Sequence, residues 1–183
     1  MSRIPVPPTI EAAPAASHSL LQAVKAQLGL APNLFRMVAT SPAALEGYVG
    51  MFGALGKGQL PAATRERIAL AIAEFNGCDY CLSAHTYLAR EVAKLGPDEI
   101  AANRNGGSIE AKAAAAVRFA VKVASFRGHV NDEDFRAVRS AGYSDAQIIE
   151  IVQHVALNTW TNYVNSVAGT AIDFPVVNAR KAA

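Results

Sequence analysis

The stretch at residues 60–85, LPAATRERIALAIAEFNGCDYCLSAH, decides how this chain folds. Pro61 opens a helix, because a first helical turn leaves its N–H groups unused and proline has none to lose. Ile68, Ala71, Ile72 and Phe75 recur at the spacing of one helical face. Asn76-Gly77 ends that helix, since glycine takes the left-handed turn that closes helices at no steric cost. A second helix begins at the cysteines and is expected to run to about Leu95, where Gly96-Pro97 stops it. Two helices joined by a tight turn therefore place Cys78 and Cys81 on a first helical turn. A thioredoxin-type CxxC would follow a strand, and no strand pattern precedes these cysteines.

Working outward, helix signals continue and strand signals are almost absent. Residues 1–16 are proline-rich and read as an extended arm, because proline excludes helix at and before itself. A helix is expected from about Ser17 to Leu28, with Leu20, Leu21, Val24 and Leu28 on one face and Gly29 at its end. A short helix follows around Asn33–Ala39. Ser41-Pro42 supplies an N-cap and a first-position proline for a helix to about Leu55. Beyond the cysteines, Pro97 opens a short helix with Asp98 and Glu99 in its first turn. Ser108 is expected to cap a helix to about Phe126, and Asn131 one to about Ser140. Ser144-Asp-Ala-Gln147 is a capping box for a last long helix to about Ala168. The reading is an all-α, compact multi-helix bundle at residues 17–171, with residues 172–183 as an irregular C-terminal arm. Short connections make most neighbours antiparallel.

Composition narrows the function. Apolar residues make up 51% of the chain and charged ones 17%, with a mean hydropathy of +0.17. That excess points to buried contacts between copies, a homo-oligomer. The 17 basic and 15 acidic residues are scattered, so nothing resembles a nucleic-acid-binding arm. No run approaches the ~20 apolar residues of a membrane span. The N-terminus lacks the apolar core of a signal peptide, which gives a cytoplasmic expectation. In a reducing compartment, two cysteines point to catalysis or metal binding rather than to a staple.

The chemistry concentrates at the cysteines. Free N–H groups and the dipole at a helix start favour the thiolate, and CxxC thiols there fall from ~8.5 to below ~7.5. Spacing of three brings the sulfurs within bridging reach, so a reversible disulfide is geometrically reasonable. His85, one turn beyond Cys81, can take its proton, and a nucleophile beside a base is what covalent catalysis needs. The preceding helix offers Glu66 and Glu74 to orient that base; spacing does not choose between them. Two rival readings exist. The cysteines are two small buried residues, or Cys78, Cys81 and His85 hold zinc. Structural zinc wants four ligands, and His18, His129 and His154 are each isolated.

Elsewhere, His154, Asn158, Asn162 and Asn165 share one face of the last helix. Such a stripe is expected to face solvent or a neighbouring subunit. The opposite face carries Ile148, Val152, Ala156, Trp160 and Tyr163. The sharper expectation is that His154 reaches the cysteine site.

The pattern Glu66, eleven residues, Cys78-x-x-Cys81, three residues, His85 resembles the core motif of the alkylhydroperoxidase D-like group. That group lies within the carboxymuconolactone decarboxylase superfamily. The likeness is specific over roughly residues 60–91, and LNTWTNYVNSVAGTAIDFP, residues 157–175, resembles the C-terminal stretch of its peroxidase-related branch. The resemblance implies an all-helical fold associating as trimers, dimers or hexamers. It implies a cysteine peroxidase, a thiol-dependent alkyl hydroperoxide reductase with an antioxidant role and no cofactor or metal. Cys81 is then the peroxidatic cysteine, Cys78 the resolving one, and His85 with Glu66 the proton relay. The partners are a hydroperoxide substrate and an external dithiol reductant. Two departures stand out: Tyr80 where the best-known branch has histidine, and a different N-terminal region. Tyr80 and His154 are the candidate neighbours of the pair. The alternatives are a thiol–disulfide redox protein or sensor without peroxidase turnover, and a zinc-stapled interaction protein.

Overall fold

The computed structural model describes residues 2–180. Among them are nine α-helices, one short 3-10 turn (Ala15–Ser17) and no strand. The helices are α1 (His18–Leu28), α2 (Asn33–Val38), α3 (Pro42–Gly56), α4 (Ala62–Phe75), α5 (Asp79–Glu91), α6 (Pro97–Arg104), α7 (Ala111–Ser125), α8 (Asp132–Ser140) and α9 (Asp145–Ala168).

Helix α4 is the hub, packing against α5, α6, α7 and α9. Its residues 67–73 are all buried, as befits a helix surrounded by others. It divides the core in two. Leu70 and Ala73 join a cluster with α1, α2, α3, α5 and the C-terminal arm. Ile68 and Ile72 join a second cluster with α7, α8 and α9. The single stripe read from sequence is thus only one of two buried faces: Ile68 and Ile72 serve the second cluster, Leu70 and Ala73 form a face outside the stripe, and Phe75 is half exposed.

Most helix boundaries follow local chemistry. Ser41 accepts from Ala44 N–H at the start of α3, and Asn131 accepts from Asp134 N–H at the start of α8. Both halves of the Ser144–Gln147 capping box form. Two boundaries differ from expectation. Helix α5 ends at Glu91 rather than Leu95, because Lys94 turns left-handed (φ 56°) and Leu95 N–H bonds back to Ala89 O. Helix α7 starts at Ala111 rather than after Ser108. The Ser108 hydroxyl instead donates to Glu99 Oε1 at 2.6 Å.

That Glu99 carboxylate is buried and anchors a polar knot. It accepts from Arg67 Nε at 2.6 Å, Asn103 Nδ2 at 2.9 Å and Ile109 N–H at 2.8 Å. Burial alone would raise its pKa, but these donors outweigh it and hold it at about 2. The two arginines flanking Glu66, Arg65 and Arg67, are both engaged. Arg67 serves Glu99, and Arg65 caps the carbonyls of Leu55 and Gly56 at the end of α3.

The C-terminal arm lies along α5. Val177 N–H donates to Ser83 Oγ at 2.9 Å, Ala179 N–H to Asp79 Oδ1 at 2.7 Å, and Arg180 N–H to Glu74 Oε1 at 2.7 Å. No helix among the described residues is long and apolar enough to cross a membrane.

Candidate active site

Gly77 builds the site. Its φ of 67° closes α4 with Gly77 N–H bonded to Glu74 O at 3.1 Å and Cys78 N–H to Ala73 O at 2.9 Å. This double bond is a Schellman closure, which needs a left-handed residue at that point. The chain emerges with Cys78 as the N-cap of α5. Its sulfur takes the place an N-cap oxygen would fill, accepting from Cys81 N–H at 3.2 Å. The two sulfurs are joined in a disulfide with Cα atoms 5.3 Å apart. Only 2% of Cys78 and 3% of Cys81 is exposed.

The base and its partner come from the two helices flanking the turn. His85 Nδ1 lies 2.9 Å from Glu66 Oε2. A carboxylate only accepts, so Nδ1 carries the proton and Nε2 is the free base nitrogen of the neutral ring. Glu74 is engaged elsewhere, by Arg104 Nε at 2.5 Å and by the backbone of Arg180. The choice between the two acids is thus made by their surroundings: Glu66 faces the histidine and Glu74 does not.

Helix α9 reverses the expected orientation. His154, Asn158, Asn162 and Asn165 are buried, whereas Val152, Ala156, Trp160 and Tyr163 are exposed; of the apolar face only Ile148 is buried as expected. Two of the polar stripe's four residues meet polar groups on other elements. Asn76 Nδ2 donates to Asn162 Oδ1 at 2.9 Å, and Asn165 Nδ2 donates to Cys81 Sγ at 3.3 Å. Asn158 turns back onto its own helix, bonding His154 O. His154 does not touch the sulfurs. It lines a cavity of about 210 Å³ whose wall also includes Glu66, His85, Tyr48, Phe52 and Leu157. Burial, helped by the positive charge of Arg65, pushes its pKa down to about 4, so the ring is neutral near pH 7.

Tyr80, between the cysteines, also points away from them. Its hydroxyl donates to Asp173 Oδ1 at 2.8 Å and accepts from Leu34 N–H at 3.1 Å. Burial raises its pKa, so the phenol stays protonated. It pins the arm rather than serving the sulfurs. The structure thus gathers Cys78, Cys81 and Asn165 around the sulfurs, and Glu66, His85 and His154 around the cavity. Asn165 was missed from sequence; its only signal was membership of the polar stripe. Among the described residues, no three His, Cys, Asp or Glu side chains are grouped to hold a metal ion.

Chemically, the arrangement offers a buried dithiol–disulfide couple, a hydrogen-bond donor on each sulfur and an oriented imidazole one turn along the helix. Comparison with known proteins places the chain in a family. The sequence pattern of the carboxymuconolactone decarboxylase family matches residues 42–125, which contain every residue of the motif. No curated protein matches the chain. Among solved structures, one described as an alkylhydroperoxidase AhpD core, an uncharacterized peroxidase-related protein from Ralstonia eutropha JMP134, is 30% identical. Its TM-score is 0.82 over 94% of this chain and 92% of that one. A peroxidase-related protein from Silicibacter sp. TM1040 is 24% identical, with a TM-score of 0.78 over 92% and 88%. The debrominase Bmp8 is 22% identical, with a TM-score of 0.76 over 91% and 90%. The last two show the shared fold alone. With the first relative similar over nearly its whole length and the family pattern spanning the cysteine motif, the chain belongs to the carboxymuconolactone decarboxylase family, among its AhpD-like, peroxidase-related members.

Proposed function

We propose that this protein is a thiol-dependent hydroperoxide reductase with an antioxidant role. The observation that carries the reading is the joining of Cys78 to Cys81 at the start of the helix that carries, one turn on, a histidine held by Glu66. In the reduced protein, His85 takes the Cys81 proton. The thiolate attacks the distal peroxide oxygen, the O–O bond breaks, and the leaving alkoxide takes a proton from the imidazolium. This gives an alcohol and Cys81 sulfenic acid. The Cys78 thiol then displaces water from that sulfenic acid and forms the disulfide. An external dithiol reduces the pair, leaving as its own disulfide. The outward apolar face of α9 supports association into a homo-oligomer.

A second reading is favoured by one fact: the same fold serves a debrominase. In that reading the couple is kept and the substrate that accepts its two electrons is not a peroxide. The deciding test is the intact mass of the fully reduced protein before and after one equivalent of an organic hydroperoxide. Loss of two hydrogens with no added oxygen supports peroxide reduction. An unchanged mass with both thiols still alkylatable removes it and leaves the second reading. In separate variants, Cys78→Ser should still consume one equivalent while Cys81→Ser stays inert; the reverse exchanges the two roles.

A further inference from the structure

Asn165 is 97% buried, yet little in the protein uses it. Its Nδ2 approaches Cys81 Sγ at 3.3 Å, and its Oδ1 has no hydrogen-bond partner. Burying half of an amide unsatisfied is costly. A leucine would fill a similar volume without that cost. The amide orientation follows from chemistry, because a thiolate or disulfide sulfur can only accept, so the N–H must face it. Asn165 also lies outside the segment that the family pattern matches, residues 42–125. The core motif therefore assigns it nothing.

We propose that Asn165 is a catalytic residue: its side-chain N–H holds the Cys81 sulfur as a thiolate. The two sulfurs then have separate donors, Cys81 N–H for Cys78 and the Asn165 amide for Cys81. A donor aimed at the charged form favours that form. In the reduced protein it raises the fraction of Cys81 ready to attack. Lowering the pKa also lowers intrinsic nucleophilicity, but with a Brønsted coefficient of ~0.4–0.5 the gain in thiolate outweighs that loss while the pKa exceeds the ambient pH. In the reductive half, a donor thiolate bonds to Cys78 Sγ and the S–S bond breaks. Cys81 leaves with the electron pair as a thiolate, the state that Asn165 stabilises.

This role in turnover rests on the proposed reaction; the effect on acidity does not. The test therefore reads acidity first. Thiolate absorbance is titrated in the full-length Cys78→Ser protein, where Cys81 is the sole thiol, with Asn165 intact, Asn165→Leu or Asn165→Asp. The other ionisable groups on Cys81's own helix and the elements packed against it remain in place, among them Asp79, Tyr80 and His85 on α5, Arg65, Glu66 and Glu74 on α4, Arg104 on α6, His154 on α9 and Asp173 on the arm. Removing the donor should raise the Cys81 pKa by roughly one unit. Aspartate, with a repelling charge in the same shape, should raise it further. Alkylation of Cys81 at neutral pH should slow in the same order. Asn165→Asp is nearly isosteric and keeps the test available where leucine disturbs folding, which thermal melting reports. An unchanged titration in a folded variant of either kind overturns the proposal. A shifted titration in a protein inert to peroxide keeps Asn165's role and discards the peroxidase reading. Turnover of the protein with both cysteines, combined with unshifted titrations, does the opposite.

Discussion

Glu66 Oε2 and His85 Nδ1, 2.9 Å apart, tie together the two helices that meet at Gly77. The pair is part-buried, with about a fifth of each side chain exposed. Its value is therefore orientation more than stability, since partly exposed ion pairs contribute little. His85→Ala should slow disulfide formation by peroxide about 10²-fold or more, the ordinary scale of a lost general base. Glu66→Gln should slow it less, roughly tenfold, because glutamine still accepts from Nδ1 while losing the charge that supports the imidazolium. Stopped-flow kinetics on the reduced protein separates the two. Equal losses would give Glu66 more than an orienting role.

His154 should make the protein acid-sensitive in a defined window. Its pKa is about 4 when folded and ~6.5 when unfolded. Between these values the unfolded chain binds more protons, so stability falls as pH drops from ~6.5 to ~4, by about 3 kcal/mol in all. Denaturant unfolding at several pH values reads this slope. His154→Gln should flatten it. An unchanged slope would mean that another group carries the acid sensitivity.

Glu99 acts lower on the scale. Its folded pKa of about 2 lies below the ~4.3 of an unfolded glutamate. Its contribution is therefore complete above ~4.3 and is lost as pH falls towards 2. Glu99→Gln should cost about 3 kcal/mol at neutral pH, because it leaves the buried Arg67 guanidinium with only the exposed Glu110 carboxylate. The loss should shrink at pH 2–3, and thermal melts across that range measure both.

Gly77→Ala should destabilise by about 1–2 kcal/mol. A Cβ at that point meets nothing within 4 Å, so the whole cost is the left-handed φ of 67°. The same change should slow peroxide reactivity, because this turn aims Cys78. A variant with native melting and native rate would remove Gly77 from the site's architecture.

Why some of this was legible in sequence and some was not follows from the range of the forces involved. Caps at Ser41, Asn131 and Ser144 act within three residues, and all three form. Asn76-Gly77 and the CxxC after it are equally local. Ser108 misled because its hydroxyl is claimed by Glu99, nine residues away across a loop. Helix α5 stopped early at a left-handed lysine that no sequence rule marks. The face of α9 was inverted because periodicity shows that two faces differ, not which one turns inward. The partners that its inward face meets, Asn76 and Cys81, lie nearly ninety residues earlier in the chain. The same distance hid Asn165.

Helix α9 turns its amides and one set of apolar side chains inward and a second apolar set outward, and these are two sides of one stiff rod 24 residues long. On the outer side, Ile149, Val152, Trp160, Tyr163 and Val167 stand exposed. On the inner side, Asn165 sits against the redox sulfur. A helix does not bend locally to suit one side chain, so a body resting on Trp160 and Val167 leans on the same backbone that sets the amide-to-sulfur spacing. In the proposed oligomer, and with the proposed role of Asn165, assembly and thiol acidity would be mechanically geared, with a single α-helix as the shaft.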